Sequence, residues 1–268
     1  MRPNLIVMRA GDTSLHPSWF EAEAGARNWD LHISYFGDRA EPYGTLPEGV
    51  TLSFEKGAKG AGLDACFRAH PGLTDGYGTV MVADDDLQLV TGSWSHAFDR
   101  FNESGALLGQ AALDHRSFFS HDVTLHRKGC LYREVNFVEI MSPIFKGEFL
   151  RQFLDMFTIS KTTWGLDLIM SAKAQACGGK IVIIDDVQML HTRQVGAVKG
   201  NYGDVACPRE DRDQALAKAG VKLFSGRTRC GVRPDGSRVS GWRLSLPPIS
   251  AYYYQLLKSL LGVKVIQI

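Results

Sequence analysis

Short apolar, β-branched runs alternate with longer segments of helical period along most of the chain. Asn4 to Met8, Asp30 to Phe36 and Val50 to Phe54 read as the first three strands. Between the first two, Ser18-Trp-Phe-Glu21 has the form of a capping box and predicts a helix that ends near Arg27-Asn28. A helical segment follows Lys56-Gly-Ala-Lys-Gly60 and runs to about His70-Pro71. Tyr77, Val80, Met81 and Val82 then predict a buried strand. Ser93 is placed to cap a helix whose Trp94, Ala97, Phe98 and Phe101 fall at i, i+3, i+4 and i+7, the spacing of one core-facing stripe. Arg133 to Met141 contains another strand, Lys146 to Phe157 another amphipathic helix, and Thr162 to Cys177 a helix stopped by Gly178-Gly179. Lys180 to Asp185 is the most strand-like run in the chain. Strands alternating with helices through the first two-thirds predict an α/β layered domain with a mainly parallel central sheet.

The last quarter changes character. Pro208-Arg-Glu-Asp-Arg-Asp opens a helix with proline and acids in its first turn, and Gly220 ends it. Residues 226–243 are Gly-rich and carry five arginines (Arg227, Arg229, Arg233, Arg238, Arg243) against one acid, Asp235, with a turn at Pro234-Asp-Gly236. Ser250 to Leu261 predicts a helix with Tyr252, Tyr253, Leu256, Leu257 and Leu260 on one side. The expected organisation is a ligand-binding domain over residues 1–205 with an extension over residues 206–268 packed on it. The arginine-rich span reads either as a contact for an anionic acceptor, through Arg229 and Arg233, or as a solvated loop. Peripheral membrane contact by the Tyr- and Leu-rich helix is the alternative to its packing. Packing is the expectation, since only Lys258 and Lys264 accompany it.

Composition narrows the function classes. A chain of 268 residues with 44% hydrophobic and 22% charged residues can bury a substantial core. A net charge of +1 gives no global signature of nucleic-acid binding. The five cysteines are scattered without a Cys-x-x-Cys, so neither a zinc knuckle nor a disulfide framework is indicated. They fit a reducing compartment. The N-terminal apolar run is too short for a signal peptide and no stretch reaches transmembrane length, so a cytoplasmic location is expected.

The chemistry concentrates where the Tyr77–Val82 run ends in Asp84, Asp85 and Asp86. Three adjacent carboxylates raise one another's pKa unless a cation sits among them. A hard divalent ion such as Mn²⁺ or Mg²⁺ favours oxygen ligands, and the carboxyl end of a strand in an open α/β sheet is where ligands bind. The competing reading is a solvated acidic loop. His191, after the strand ending at Asp185, is the best distant candidate for a further ligand. Trp164-Gly-Leu-Asp167 offers a flat apolar face for a sugar and a carboxylate, Asp167, able to take a proton from an attacking hydroxyl. Here too a structural reading stands beside it, with Trp164 in the core and Asp167 at the positive end of its own helix. Glu139, read as an acid within an otherwise apolar strand, needs a partner or a catalytic use.

Five motifs in order carry a resemblance: Asp-Asp-Asp-Leu (84–87), Gln110-Ala-Ala-Leu-Asp114, Phe137-Val-Glu-Ile-Met-Ser-Pro-Ile-Phe145, Trp164-Gly-Leu-Asp167, and Ile184-Asp-Asp-Val-Gln-Met-Leu-His191. Over roughly residues 30–196 the chain resembles a domain-of-unknown-function family whose plant members are labelled lysine-ketoglutarate-reductase trans-splicing-related. That family is in turn similar to glycosyltransferases of the A-type, Rossmann-like fold. The chain departs from the family at Asp85, at Ala111 and at Lys59-Gly60, where a lysine-tryptophan is expected. The resemblance implies that Asp84 and Asp86 bind a metal on a nucleotide-sugar diphosphate, that Asp167 occupies the acidic position near the acceptor, and that His191 matches a late histidine.

The resulting expectation is a metal-dependent glycosyltransferase using Mn²⁺ or Mg²⁺, a nucleotide-sugar donor and a carbohydrate or lipid-linked acceptor. Arg9, Gly11, Asp12, Tyr35, Asp38, Lys59 and Asp84 form the nucleotide side, Asp84, Asp86 and His191 the metal side. Asp167 and Glu139 are the catalytic candidates, and Trp164, Arg229 and Arg233 the acceptor side. Asp85 is expected to be a spacer where substitution costs least. A metal-dependent phosphohydrolase or nucleotidyltransferase, and a non-catalytic sugar- or nucleotide-binding module, remain as alternatives. A hydrolase with an aspartyl nucleophile needs its Asp-x-Asp directly after the first strand, which here ends in Arg9-Ala-Gly-Asp12.

Overall fold

Strand β1 (Asn4–Ala10) is buried at every position. It lies between β2 (Trp29–Tyr35) and β4 (Thr79–Asp84), parallel to both. Its side chains alternate between two cores. Ile6 and Met8 join Trp19, Trp94, Phe98 and Phe101 on one face of the sheet. Leu5 and Val7 join Leu63, Phe67, Phe153 and Phe157 on the other. A strand covered on both faces needs apolar residues in succession, which is the run seen in the sequence. The computed structural model describes residues 1–23, 25, 27–194, 207–244 and 248–261.

The helices divide between the two faces. Helices α1 (Pro17–Glu21) and α3 (Trp94–Ser104) pack on the first. Helices α2 (Lys59–Ala69), α4 (Gly147–Arg151), α5 (Leu166–Ala176) and α6 (Pro208–Ala219) pack on the second. Outward from β1, one half of the sheet continues through β2 to β3 (Val50–Phe54). The other half runs through β4, β8 (Ile144–Lys146), β6 (Leu108–Leu113), β9 (Ile181–His191) and β7 (Tyr132–Val135) to β10 (Thr228–Val232) and β11 (Arg238–Ser240). Strand β5 (Leu87–Thr91) stands off this path and pairs with β9.

The α/β layering expected from the pattern is present, but the mainly parallel sheet is not. Among the described residues four of the ten strand pairings are parallel and six antiparallel. A parallel neighbour needs a crossover of about a dozen residues or more. The five-residue connection between β10 and β11 leaves no room for one, and the other antiparallel pairs join strands that are not consecutive in the chain. The result is a mixed sheet whose β3-β2-β1-β4 part is parallel.

Several local expectations are corrected. Pro17 starts α1 one residue early, so Ser18 lies inside the helix and donates to the Leu15 carbonyl (2.7 Å) instead of capping. That helix is a single turn, ending at Glu21. The segment Lys146–Phe157 is the short α4 and a 3-10 turn, Leu154–Thr158. Glu139 stands in an irregular segment after β7, not in a strand. Strand β9 runs on past Asp185 to His191 through a bulge, where its register against β6 jumps from Ile184 to Gln188. Ser93 does cap α3, accepting the His96 N–H, and Trp94, Ala97, Phe98 and Phe101 are buried as its spacing predicts.

Residues beyond 206 continue the sheet, since β10 pairs with β7. The boundary expected between 205 and 206 lies outside the described residues. Helix α8 (Ile249–Leu260) forms, but Tyr253, Leu256 and Leu260 of its expected packing stripe are exposed. Its buried positions are Ala251 and Gln255, so the apolar side faces outward.

Candidate active site

Asp85 and Asp86 form the turn between β4 and β5, and the turn sends three carboxylates three ways. Asp84 pairs with Lys59 Nζ at 2.6 Å. Asp85 accepts the Gly11 N–H (2.8 Å) and Arg193 Nη1 (2.8 Å). Arg193 also reaches the Thr13 carbonyl (2.6 Å). Asp85 is therefore a clamp between the loop after β1 and the segment after β9, not the expected spacer. Asp86 Oδ2 lies 3.3 Å from His191 Nε2. What brings the histidine there is the antiparallel pairing of β5 with the end of β9, which sets Leu87 opposite His191. One donor atom each from Asp84, Asp86 and His191 lies within 4.8 Å of the others.

Two details fit this trio to a divalent cation. Asp86 Oδ1 is buried without a hydrogen-bond partner, and a carboxylate oxygen left so is costly unless a cation faces it. His191 Nδ1 lies 2.8 Å from the Phe118 carbonyl, which can only accept. A proton therefore sits on Nδ1, and Nε2 is turned toward the acids, where a cation would displace its proton; this is the arrangement that prepares a metal-ligating imidazole. Two carboxylates and an imidazole are a donor set that suits Mn²⁺ or Mg²⁺.

The charges are tightly balanced. Burial and the neighbouring Asp86 raise the Asp84 pKa, and Lys59 opposes them. Burial works to raise Asp86 too, but its bond to His191 and that imidazole's charge hold it below the ordinary value. Burial pulls His191 down, yet Asp86, the Phe118 carbonyl and Asp84 lift it to about 9.

The trio forms one wall of a cavity of about 320 Å³. Glu139 and Asp167 line it as well, and both are raised chiefly by burial, Glu139 to about 7 and Asp167 to about 6. Glu139 Oε1 accepts the N–H groups of Ser120 (3.3 Å) and His121 (3.0 Å). Asp167 Oδ1 accepts the Leu168 N–H (2.8 Å). Both carboxyls therefore titrate near neutrality, as proton-transfer groups require.

The wall carrying Asp167 is shaped by strain. Thr163 has φ 65°, an outlying backbone for a β-branched residue. Gly165 has φ 90°, and a Cβ there would lie 3.0 Å from Arg212 Cγ, so glycine serves the turn and the packing of α5 against α6. Asp211 at the start of α6 holds the loop by accepting from Thr162 N (2.8 Å), Thr162 Oγ1 (2.6 Å) and Ser160 Oγ (2.7 Å).

The residues expected from sequence divide clearly. Asp84, Asp86, His191, Glu139, Asp167, Trp164, Lys59 and Arg9 line the same cavity. Most of the Arg9 guanidinium is engaged, with Ser34 Oγ (2.8 Å) and the Glu55 (2.8 Å) and Gly57 (2.9 Å) carbonyls. Gly11 supports Asp85 from behind, Asp12 receives the Tyr35 hydroxyl, and Asp38 pairs with Lys56 at the surface (2.7 Å). None of these four lines the cavity. Arg229 and Arg233 stand on and just beyond β10, also outside it. Arg193, Arg212, His121 and Phe224 line the cavity without having been singled out. Nothing in their local pattern marks them; pairing and helix packing alone bring them in.

No protein-family model matches the sequence, and no curated protein matches it. The plant-labelled family therefore has no support from either. Among solved structures, the fold is similar to that of the GT-A glycosyltransferase GalNAc-T7, described with UDP, GalNAc and Mn²⁺, at a TM-score of 0.54 and 9% identity. The likeness covers 81% of this chain and 48% of that one, so the chain spans about half the length of GalNAc-T7. A197 from STIV aligns over 90% of this chain and 94% of its own at a TM-score of 0.42 and 14% identity. The fold is a mixed α/β arrangement similar to that of GalNAc-T7, and Asp84, Asp86 and His191 are grouped closely enough to hold a metal ion.

Proposed function

We propose that the chain is a metal-dependent glycosyltransferase that moves a sugar from a nucleotide-sugar donor to a hydroxyl of a carbohydrate or lipid-linked acceptor. One observation carries the reading: Asp84, Asp86 and His191 meet at one wall of a cavity, and the buried Asp86 Oδ1 has no partner. The likeness to a fold that elsewhere holds UDP, GalNAc and Mn²⁺ supports it.

In this reading Asp84, Asp86 and His191 would hold Mn²⁺ or Mg²⁺. Such an ion, when bound, neutralises the charge of a departing diphosphate. Lys59, already 2.6 Å from Asp84, adds a positive charge on the donor side. Trp164 offers an apolar face to a sugar ring. Asp167 orients the acceptor hydroxyl and takes its proton, since a pKa of about 6 leaves it mostly ionised at neutral pH. Glu139, at about 7, retains a proton at lower pH and donates to a ligand oxygen there. Residues 1–205 would bind the donor, with residues 206–268 shaping the acceptor side. A role for Arg229 and Arg233 requires an acceptor that reaches beyond the cavity to β10.

The test is calorimetry with UDP, GDP and CDP in the presence of Mn²⁺, set beside a transfer assay with the matching nucleotide-sugars. Binding that needs the metal, turnover abolished by EDTA, and restoration by Mn²⁺ are expected. Failure of every nucleoside diphosphate to bind, or unaltered binding by Asp86→Ala, sinks the proposal. Binding without any product favours the non-catalytic module.

A further inference from the structure

Helix α8 packs by its polar side. Ala251 and Gln255 are its buried residues, whereas Leu256 and Leu260 face outward. The polar side meets residues 114–121, a stretch between β6 and the 3-10 turn Asp122–Thr124 that has no strand or helix of its own. Lys258 Nζ donates to the Ser117 carbonyl (3.0 Å) and to the Arg116 carbonyl, and it stands 3.8 Å from the centre of the Phe118 ring. Gln255 Nε2 donates to the same Ser117 carbonyl (3.4 Å). The Tyr252 hydroxyl holds the far end of the stretch through Asp122 (2.7 Å). Helix α7 (Gly241–Leu244) is tied to that end as well, because Arg127 donates to the Leu244 carbonyl (3.0 Å) and to the Asp122 carbonyl (3.2 Å).

The gripped stretch carries the supports of two cavity groups. The Phe118 N–H donates to the His191 carbonyl (3.1 Å), and the Phe118 carbonyl accepts from His191 Nδ1 (2.8 Å). Ser117 Oγ accepts the His191 N–H (3.1 Å). Two residues on, the Ser120 and His121 N–H groups hold Glu139 Oε1. An irregular stretch has no ladder to fix such groups, so their placement depends on whatever binds its carbonyls. A charge-assisted hydrogen bond is directional in a way that apolar contact is not. The partner of a ligating imidazole sets the orientation of the ring, and here Lys258 holds that partner. We propose that Lys258 is a positioning residue of the metal centre: it fixes the Ser117–Phe118 turn, and through the Phe118 carbonyl it fixes His191, with α8 as the brace. The inference rests on reading Asp84, Asp86 and His191 as a metal site.

Titration of the full chain with Mn²⁺ alone tests it, followed by the electron paramagnetic resonance of the free ion and set beside thermal unfolding of the same samples. Wild type is expected to bind an ion that Asp86→Ala loses. Lys258→Met keeps the apolar stem and removes the donor, and it is expected to weaken binding by about fivefold or more, short of the roughly 10- to 100-fold typical when the imidazole's own partner is lost. Lys258→Arg should restore most of the affinity. Leu256→Ser, on the outer face of the same helix, should stay within about twofold of wild type, which separates positioning from a general loosening of α8. Should Lys258→Met fail to fold, Gln255→Met answers in its place with an expected loss of about threefold, and unchanged affinity there overturns the brace. Affinity of folded Lys258→Met within about twofold of wild type, or an equal loss in Leu256→Ser, overturns the positioning role and leaves the metal site standing. Absence of Mn²⁺ binding by wild type overturns both.

Discussion

Asp86, in the turn after β4, and Asp185, within β9, are both almost fully buried, and they end in opposite states. Asp185 is closed. Its Oδ2 takes Arg133 Nε at 2.7 Å, and its Oδ1 takes the Arg127 N–H at 2.8 Å and Arg133 Nη2 at 3.2 Å. Arg133 completes itself on the Val123 and Leu125 carbonyls (2.9 and 2.8 Å). Asp86 is open, with one oxygen toward His191 and the other facing no protein donor. Both acids follow apolar strand residues and stand next to another acid, so local sequence does not separate them. A missing partner is not sufficient by itself. Asp186 Oδ1 also lacks one, but its Oδ2 is held by Arg100 (3.0 Å) and His96 (2.9 Å), and it lines no part of the cavity. An open acid points to a ligand when it has converging neighbours and a cavity in front of it.

The largest effect should come from breaking the closed pair. Arg133→Met leaves Asp185 as an unpaired buried charge and is expected to cost about 3–5 kcal/mol of stability. Urea unfolding measures this, and a loss under about 1 kcal/mol would show the pair to be better hydrated than its geometry implies. Nucleoside-diphosphate affinity of the folded protein should stay unchanged.

Asp86→Ala is the opposite case. Removing one carboxylate from a crowded trio should leave the melting temperature close to wild type, yet lower Mn²⁺-dependent nucleotide binding by about two orders of magnitude. Calorimetry and a thermal scan on one preparation separate the two effects. Strong destabilisation with intact binding would make Asp86 a structural acid like Asp185.

Glu139 sharpens the contrast through pH. Its carboxyl titrates at about 7 in the folded protein against an ordinary 4.5. The folded state therefore holds more protons between those values, and stability contributed by this group falls as pH rises from about 4.5 to about 7. The slope is worth on the order of 1–3 kcal/mol. Glu139→Gln should flatten it, as read from unfolding curves at pH 5 and pH 7.5. Asp167, at about 6, acts in the same direction. An unchanged slope in the glutamine variant would remove Glu139 from the set of open acids.

The smallest effect is expected at Asp85. Asp85→Asn should cost about 1 kcal/mol by weakening its bonds to Gly11 N–H and Arg193. Nucleotide affinity should fall less than in Asp86→Ala. A loss as large as that at Asp86 would make Asp85 part of the ligand set.

Much of the frame was legible because it depends on local rules. The apolar runs at 4–8 and 50–54 became strands, and the Ser93 cap and its aromatic stripe appeared where their spacing put them. Strand β5 was not legible: Leu-Gln-Leu-Val-Thr is short, half exposed, and is a strand because β9 pairs with it. The outward stripe of α8 was misread for a related reason. Periodicity shows that a helix has an apolar side but not which side the protein covers.

The sequence by itself determined which residues could do chemistry: Asp84 and Asp86 at a strand end, Trp164-Gly-Leu-Asp167, Glu139 and a late histidine. It did so because residue type and strand ends are local properties. The tertiary structure alone decided which of these converge. The β5–β9 pairing carries His191 to Asp86, the β7–β9 pairing brings Arg133 to Asp185, and α6 pins the loop before Asp167. It also made Asp85 a clamp and placed Gly11, Asp12, Tyr35 and Asp38 outside the cavity. The physical reason is that partner satisfaction is non-local. Whether a buried carboxylate is closed or open depends on donors supplied by residues dozens of positions away, at distances that only the completed sheet fixes.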